Sequence, residues 1–502
     1  MKVLFIKFSR NITLDENFFP LLIKSKLKNI MDILYYSDFN MKIDFHKYDY
    51  YIFEVNNLKN YQLLRDILKF DINNIKIILV GYYVFREYYK ILNEISAINY
   101  IIIGNYINRL YDLIVDLNNS NPILLHDGIG INMKNSVVFF REKSKNIFDY
   151  NNIFISSRGI AYLYMSIGCN KKCNYCYFPD YWSDKIVLND IDNLLKNIHI
   201  IFCQKHVDRF VFSDLSFDNN GNTRLLQFIN SLLLNNYKIF YKVTINTGFI
   251  SNFSDENLSR MKQSGLFSVS LNIDAANTAD LDLYGKDYTL KNITTAIKKL
   301  NNHYIYYNIG FINFNPYTTR ERLIQNFVFL KENLLAADFY IFSNKLRIEK
   351  KDFLYTMLRK DNLLLYKDEE INYKFCNNDI NNIYERINKY CQNEKKYLDF
   401  INFYIVEYMP NVYYYLHKYN NLSEDLLDFI INYKDIIIKI NNFNCKIFLN
   451  IINNKDVNLK DCENFYKHMI SDLNSSAFKL KKVLYKNGID IRYLIYNLDN
   501  EG

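Results

Sequence analysis

The chain has 502 residues, too many for one ordinary core, and this sets an expectation of about two to four domains. Hydrophobic residues make up 49%, enough to bury large cores, and the net charge of +8, spread over 62 basic and 54 acidic residues without a block of like charges, makes no case for nucleic acid. No stretch reaches the ~18 uninterrupted apolar residues of a membrane span, and the opening run "MKVLFIKFSRN" is too short for a signal peptide, so the expectation is a cytoplasmic, reducing setting where clustered cysteines mean metal or redox chemistry rather than disulfides.

Residues 1 to about 120 alternate between two patterns. Short β-branched and aromatic runs at 3–8, 48–55, 76–81 and 100–105 read as buried strands. The stretches 21–36, 60–70, 86–96 and 106–117 place apolar residues at spacings of three and four and read as helices. Such alternation predicts a small doubly wound, Rossmann-like α/β domain whose ligands bind at the carboxyl ends of the strands. Residues 121–158 read as a hairpin connector, with turn signals at Asp127-Gly128 and Lys134-Asn135.

A second alternation runs over 159–350. Strands are expected at 161–167, 207–217, 238–246, 266–274, 304–314 and 338–348, with helices at 223–236, 289–302 and 318–333 between them. Six such units predict a partial (β/α)6 TIM-type barrel, with its chemistry on loops at the carboxyl ends of the strands. Residues 351–502 read as a mostly helical extension without a chemical motif, expected to cover the barrel mouth and shape selectivity. The 45 Tyr and 38 Phe against 13 Gly and 5 Pro fit a composition shaped by an A+T-rich genome, which erodes motifs built on Gly or Pro.

The loop after the first barrel strand reads "IGCNKKCNYCYFPDYW", with Cys169, Cys173 and Cys176 inside eight positions of a chain that has only 8 cysteines. Soft thiolates suit zinc or iron–sulfur sites. Structural zinc takes four closed ligands, and the nearest further cysteine, Cys203, belongs to no Cys-x-x-Cys pair. Three cysteines on a four-iron cluster leave one iron open to a second molecule. A non-enzymatic zinc or iron–sulfur protein is the competing reading.

The segment Cys169-Asn-Lys-Lys-Cys173-Asn-Tyr175-Cys176 resembles the signature of the radical S-adenosylmethionine (radical SAM) enzymes, Cys-x3-Cys-x-aromatic-Cys. The resemblance implies that the three cysteines hold a [4Fe-4S] cluster and that S-adenosylmethionine binds its open iron. One electron, delivered by a donor such as flavodoxin or ferredoxin, then cleaves the cofactor to a 5′-deoxyadenosyl radical. Weaker matches follow along the barrel. Ser213 and Asp214 stand where the family holds the methionine amine, and Asn246 ends the third strand. Asp274 replaces the family's Glu, Lys286 stands at its basic position, and Pro316 and Thr318 survive from a Gly-Phe-Pro-x-Glu-Thr turn. With Tyr175, the residues Ser213, Asp214, Asn246 and Asp274 are the implied cofactor contacts.

In order and position the amino-terminal domain resembles the cobalamin-binding-like domain that precedes one large group of these enzymes. The motif Asp-x-His-x-x-Gly is absent, and "DFHKYD" at 44–49 holds His46 without that spacing, so His46 reads as a surface residue. No cysteine precedes Cys169, which argues against a methylthiotransferase. Two readings remain within the family. One is a cobalamin-dependent methyltransferase or rearrangement enzyme acting on a natural-product, peptide or lipid substrate. In the other the domain is a scaffold that binds no corrin.

Overall fold

The computed structural model describes residues 1–8, 23–24, 27, 29–36, 43, 45, 47–69, 75–104, 106–119, 129–133, 136–138, 155, 159–176, 186–219, 221–349, 353–367, 370–419, 422–491 and 494. The chain divides into two compact units. The first comprises 1–171, 177–207 and 368–370, and the second 172–176, 208–367 and 371–502.

In the first unit, β1 (Val3–Phe8), β2 (Met31–Tyr36), β3 (Tyr50–Glu54), β4 (Ile77–Val80) and β5 (Ile98–Ile102) form a parallel sheet in the order β2-β1-β3-β4-β5. Every residue of β1, β3 and β4 is buried, as expected of strands covered on both faces. The run 31–36 corrects the sequence reading: its apolar spacing suggested the end of a helix, but it pairs in register with β1 from Val3↔Met31 to Phe8↔Tyr36. A short apolar run satisfies either period, and the open edge beside β1 decides it. The connector forms a hairpin, β6 (Ile129–Met133) and β7 (Ser136–Val138), that extends this sheet antiparallel to β5. Its turn residues Asp127, Gly128, Lys134 and Asn135, like His46, lie outside the described residues.

Helices Leu58–Ile67, Tyr82–Glu94 and Ile107–Asn118 complete the doubly wound pattern. Gly81 ends β4 at φ +113°, where a Cβ would stand 2.6 Å from the Val55 carbonyl oxygen, so only glycine fits. Further strands of this unit are β8 (Ile160–Leu163), β9 (Ser166–Ile167) and β10 (Val187–Leu188), the last two paired antiparallel.

The second unit is built on four parallel strands in sequence order, β11 (Arg209–Phe212), β12 (Phe240–Ile245), β13 (Leu266–Asp274) and β14 (Tyr306–Phe311). Their intervening helices include Gly221–Leu234, Asp255–Gln263 and Leu290–Asn302. The expected strand over 338–348 is not one. Phe339–Phe342 is a turn of 3-10 helix, and only Lys345 makes an isolated parallel bridge, to Phe314. Its aromatic run is buried without a ladder, because Phe339 and Phe342 pack on Tyr390 and Phe448 of the helical extension.

That extension consists mainly of helices from Asn378–Asn393 to Leu459–Lys486, with a small hairpin ahead of them. The helix Met409–Lys418 packs at the amino ends of the strands, whereas residues 373–376 of the extension reach the segment after the carboxyl end of β14, where Cys376 N–H donates to the Pro316 carbonyl at 2.9 Å and Phe375 lies 5.9 Å from Phe314. Tyr414 lies against Phe240 and Phe267 at ring distances of 5.4 and 5.8 Å, and Tyr413 against Tyr306 at 5.2 Å. The extension also meets the thiol segment, where Leu354 N–H donates to the Asn174 carbonyl.

Candidate active site

The second and third cysteines of the motif bracket a tight turn. Cys176 N–H donates to the Cys173 carbonyl at 3.1 Å. Asn174 fixes that turn in space: its backbone N–H donates to Tyr284 O, and its side-chain amide to Leu283 O, both at 3.0 Å. These carbonyls lie at the carboxyl end of helix Thr278–Leu283, where the last C=O groups lack intrahelical donors. Gly285 lets the turn approach. It sits at φ +68°, and a Cβ there would meet the Asn174 side chain at 3.0 Å.

Tyr175, between the two cysteines, points its hydroxyl at the end of β13 and donates to Asp274 Oδ2 at 2.8 Å. Its ring meets Tyr284 edge-on at 5.5 Å. A register shift between Asn272 and Asp274 precedes the last pair with β14, Asp274↔Phe311, and Asp274 adopts φ +62°, a conformation that Asp tolerates better than most residues. Lys286 closes the group. Its ammonium forms a close ion pair with Asp274 Oδ2, donates to the Tyr175 hydroxyl at 3.3 Å and lies 3.5 Å from Cys173 Sγ.

Both charged side chains are nearly inaccessible, 4% for Lys286 and 9% for Asp274. Burial opposes the ammonium, but Asp274 and Cys173 outweigh it, and the Lys286 pKa rises. Burial, then the Asp274 charge, pushes the Tyr175 and Tyr288 phenols far above their ordinary value, so both stay protonated as donors. Tyr288 donates to the Ile273 carbonyl at 2.8 Å and also to that of Asn272, anchoring the strand end from below.

The other expected contacts divide. Asn246 caps helix Thr247–Asn252, accepting from Phe249 N–H at 3.0 Å, while its amide donates to Asp287 at 3.3 Å. Ser213 and Asp214 directly follow β11. Asp214 is buried, and the Ser213 hydroxyl is buried with no hydrogen-bond partner. Thr318 accepts from Asn315 N–H at 2.8 Å and so closes its own turn. Asn315 in turn donates to Asp280 and to the Tyr284 hydroxyl, and Arg322 pairs with Asp280 at 3.1 Å. The structure thus brings Cys173, Tyr175, Asp274 and Lys286 into one network, and holds Asn246 in a second one through Asp218 Oδ1, which accepts from Asn246 N–H at 3.0 Å.

Sequence reasoning missed Asp218 and Tyr288. Asp218 lies four positions after Asp214 in a polar loop, and no spacing rule separates it from an ordinary turn residue. Tyr288 is one of 45 tyrosines.

Cys169 belongs to the first unit, and Cys173 and Cys176 to the second. None of the three is disulfide-bonded and all are half-buried, unlike Cys391, Cys445 and Cys462, which are buried in the core. Among the described residues no three Cys, His, Asp or Glu side chains already stand in a ligand cage. The donor chemistry nonetheless fits an iron–sulfur cluster: three half-buried thiols within eight positions, with an ammonium 3.5 Å from one of them.

Residues 163–328 match the family described as the Radical SAM superfamily. No curated protein matches the chain. The fold is similar to the cobalamin-dependent S-adenosylmethionine radical enzyme OxsB with aqua-cobalamin bound, at TM-score 0.62 and 13% identity, covering 94% of this chain and 84% of that one. It is also similar to OxsB with aqua-cobalamin and S-adenosylmethionine bound, at TM-score 0.61 and 14% identity over 98% and 82% of the two chains. The radical S-adenosylmethionine methyltransferase TsrM from Kitasatospora setae aligns at TM-score 0.51 and 10% identity, over 66% of this chain and 71% of that one. No helix among the described residues is long and apolar enough to cross a membrane. The thiol turn and the family match around it lead to one conclusion: residues 163–328 form a radical SAM domain.

Proposed function

We propose that the chain is a cobalamin-dependent radical SAM enzyme that transfers a methyl group or drives a rearrangement on a natural-product, peptide or lipid substrate. The supporting observation is the five-stranded parallel sheet in the order 2-1-3-4-5 ahead of the radical SAM domain, in a chain that aligns with OxsB over 94% of its length. Such sheets take ligands at the switch point between their first and third strands. There, two polar residues, Lys7 and Glu54, stand in otherwise apolar β1 and β3. A [4Fe-4S] cluster held by Cys169, Cys173 and Cys176 supplies, when bound, the electron that cleaves S-adenosylmethionine to a 5′-deoxyadenosyl radical. That electron comes from a partner of the flavodoxin or ferredoxin class.

The chain's own residues set the stage for this chemistry. Asn174 and Gly285 fix the thiol turn against the end of helix Thr278–Leu283. Tyr175, Asp274 and Lys286 tie that turn to β13. Asp214 and the free Ser213 hydroxyl offer an acceptor and a hydrogen-bonding oxygen at the end of β11, suited to an amine.

The scaffold reading, without a corrin, has its own observation. Lys7 and Glu54 pair with each other at 3.2 Å, and the Tyr106 hydroxyl donates to Glu54 at 2.7 Å, so the polar groups at the switch point already have partners. Anaerobic reconstitution with iron, sulfide and hydroxocobalamin separates the readings. Corrin absorbance that stays with the protein through gel filtration supports the proposal. Cleavage of S-adenosylmethionine without retained corrin supports the scaffold. Bound zinc without cleavage refutes both.

A further inference from the structure

Strands β11 to β14 have two unlike faces. On one, Phe212, Tyr241, Val243, Ile245 and Leu271 are at most 1% exposed and pack beneath the surrounding helices. The alternate positions form the other face, where Phe240, Val211 and Tyr306 are joined by a row of polar side chains. Lys242 pairs across the sheet with Ser268, and Thr244 with Ser270, which in turn lies opposite Asn308. A half-buried sheet face built for packing would carry Val or Ile at these positions.

Burying such groups costs free energy unless they find partners. Several have none. The hydroxyl of Ser268, which is 1% exposed, makes no hydrogen bond, nor does the buried Oδ1 of Asn308. Lys242 makes no hydrogen bond or ion pair among the described residues. Nothing on this face is acidic between the strand starts and Asp274, and Asp274 is committed to Lys286. The face therefore offers one uncompensated cation, hydroxyls that donate or accept, and a carbonyl that needs a donor.

We propose that this face is the specificity-determining surface of the substrate site, and that Lys242 binds an oxyanion of the substrate, a phosphate or a carboxylate. The neighbouring Ser268 and Asn308 engage hydroxyl or amide groups beside that oxyanion. The inference rests on the radical SAM reading and narrows its substrate to a polar anion. A lipid chain leaves Ser268 and Asn308 without partners, and a neutral apolar metabolite leaves Lys242 without a counter-charge.

The test uses the full-length reconstituted protein, saturated with S-adenosylmethionine and without reductant. Inorganic phosphate and acetate are titrated separately by calorimetry, to distinguish the two sources of oxyanion. One of them is expected to bind. Replacing Lys242 by Met should weaken that binding by ~10-fold or more, the scale of a charge-assisted hydrogen bond. Lys242→Arg should retain it, and Asn308→Asp, which places a carboxylate in the row, should weaken it. If Lys242→Met does not fold, the last two variants decide by their opposite effects. The proposal is overturned if neither anion binds, if binding is unchanged in Lys242→Met or Asn308→Asp, or if saturation with S-adenosylmethionine abolishes it. Cleavage of S-adenosylmethionine by the unmodified protein is measured separately, so loss of the family reading is distinguishable from loss of this one.

Discussion

Replacing Lys286 by Met tests whether the thiol turn is held by an ion pair. Lys286 and Asp274 are 4% and 9% exposed, so solvent screens their attraction little. Removing one partner from such a pair leaves a buried charge and costs about 3–5 kcal/mol. The Tyr175 hydroxyl would still donate to Asp274, which places the expected loss near the lower end. About 3 kcal/mol of local opening energy corresponds to roughly 100-fold faster amide exchange. Hydrogen exchange followed by mass spectrometry reads this on peptides covering 172–176 and 266–288. Asp274→Asn should speed exchange similarly, by leaving the ammonium buried. The double variant, neutral at both positions, should exchange more slowly than either single variant, because no charge is stranded. Additive losses in the double variant, or single variants that exchange like the parent, would refute the ion-pair account.

Alanine at Cys169, Cys173 or Cys176 should abolish iron incorporation and S-adenosylmethionine cleavage together, and retained cleavage in any of the three would remove that residue from the ligand set. Gly285→Ala puts a Cβ 3.0 Å from the Asn174 side chain at φ +68° and should cost about 1–2 kcal/mol. Iron loading of this variant at limiting iron should fall, while far-UV dichroism stays unchanged. Burial pushes the Asp338 carboxyl up to about 6 from 3.8, despite bonds from Tyr340 N–H and the Asn402 amide. The folded state then holds the proton more tightly than the unfolded chain, so stability falls as pH rises through this window and is level above it. The loss is about 3 kcal/mol. Urea midpoints between pH 4 and 6.5 should show that slope, and Asp338→Asn should flatten it.

The parts of the site that were legible in the chain are those whose chemistry is local. Three thiols at fixed spacing, with an aromatic between the last two, need no tertiary information to identify. Strand β13 was read to the residue, because nine consecutive positions end at a polar Asp-Ala-Ala turn. The runs 31–36 and 338–348 were misread for opposite reasons. One is short enough to satisfy either period, and an open sheet edge claimed it. The other is rich in β-formers, but helices distant in sequence buried its rings before any strand partner did. The contacts of Lys286 with Asp274 and Cys173 were out of reach as well. They join positions 12 and 113 apart, and a family position for a basic residue says nothing about which neutralising group it will meet.

Helix Met409–Lys418 has a practical consequence for anyone trimming this enzyme. Tyr413 and Tyr414 cover aromatic rings at the first turns of β12, β13 and β14, and Tyr306 donates its hydroxyl to the Ile405 carbonyl. A fragment ending near 350 would keep Cys169, Cys173 and Cys176 yet strip the cover from those rings. The catalytic core of this chain is therefore not a portable module. Its insolubility when excised would say nothing against its chemistry.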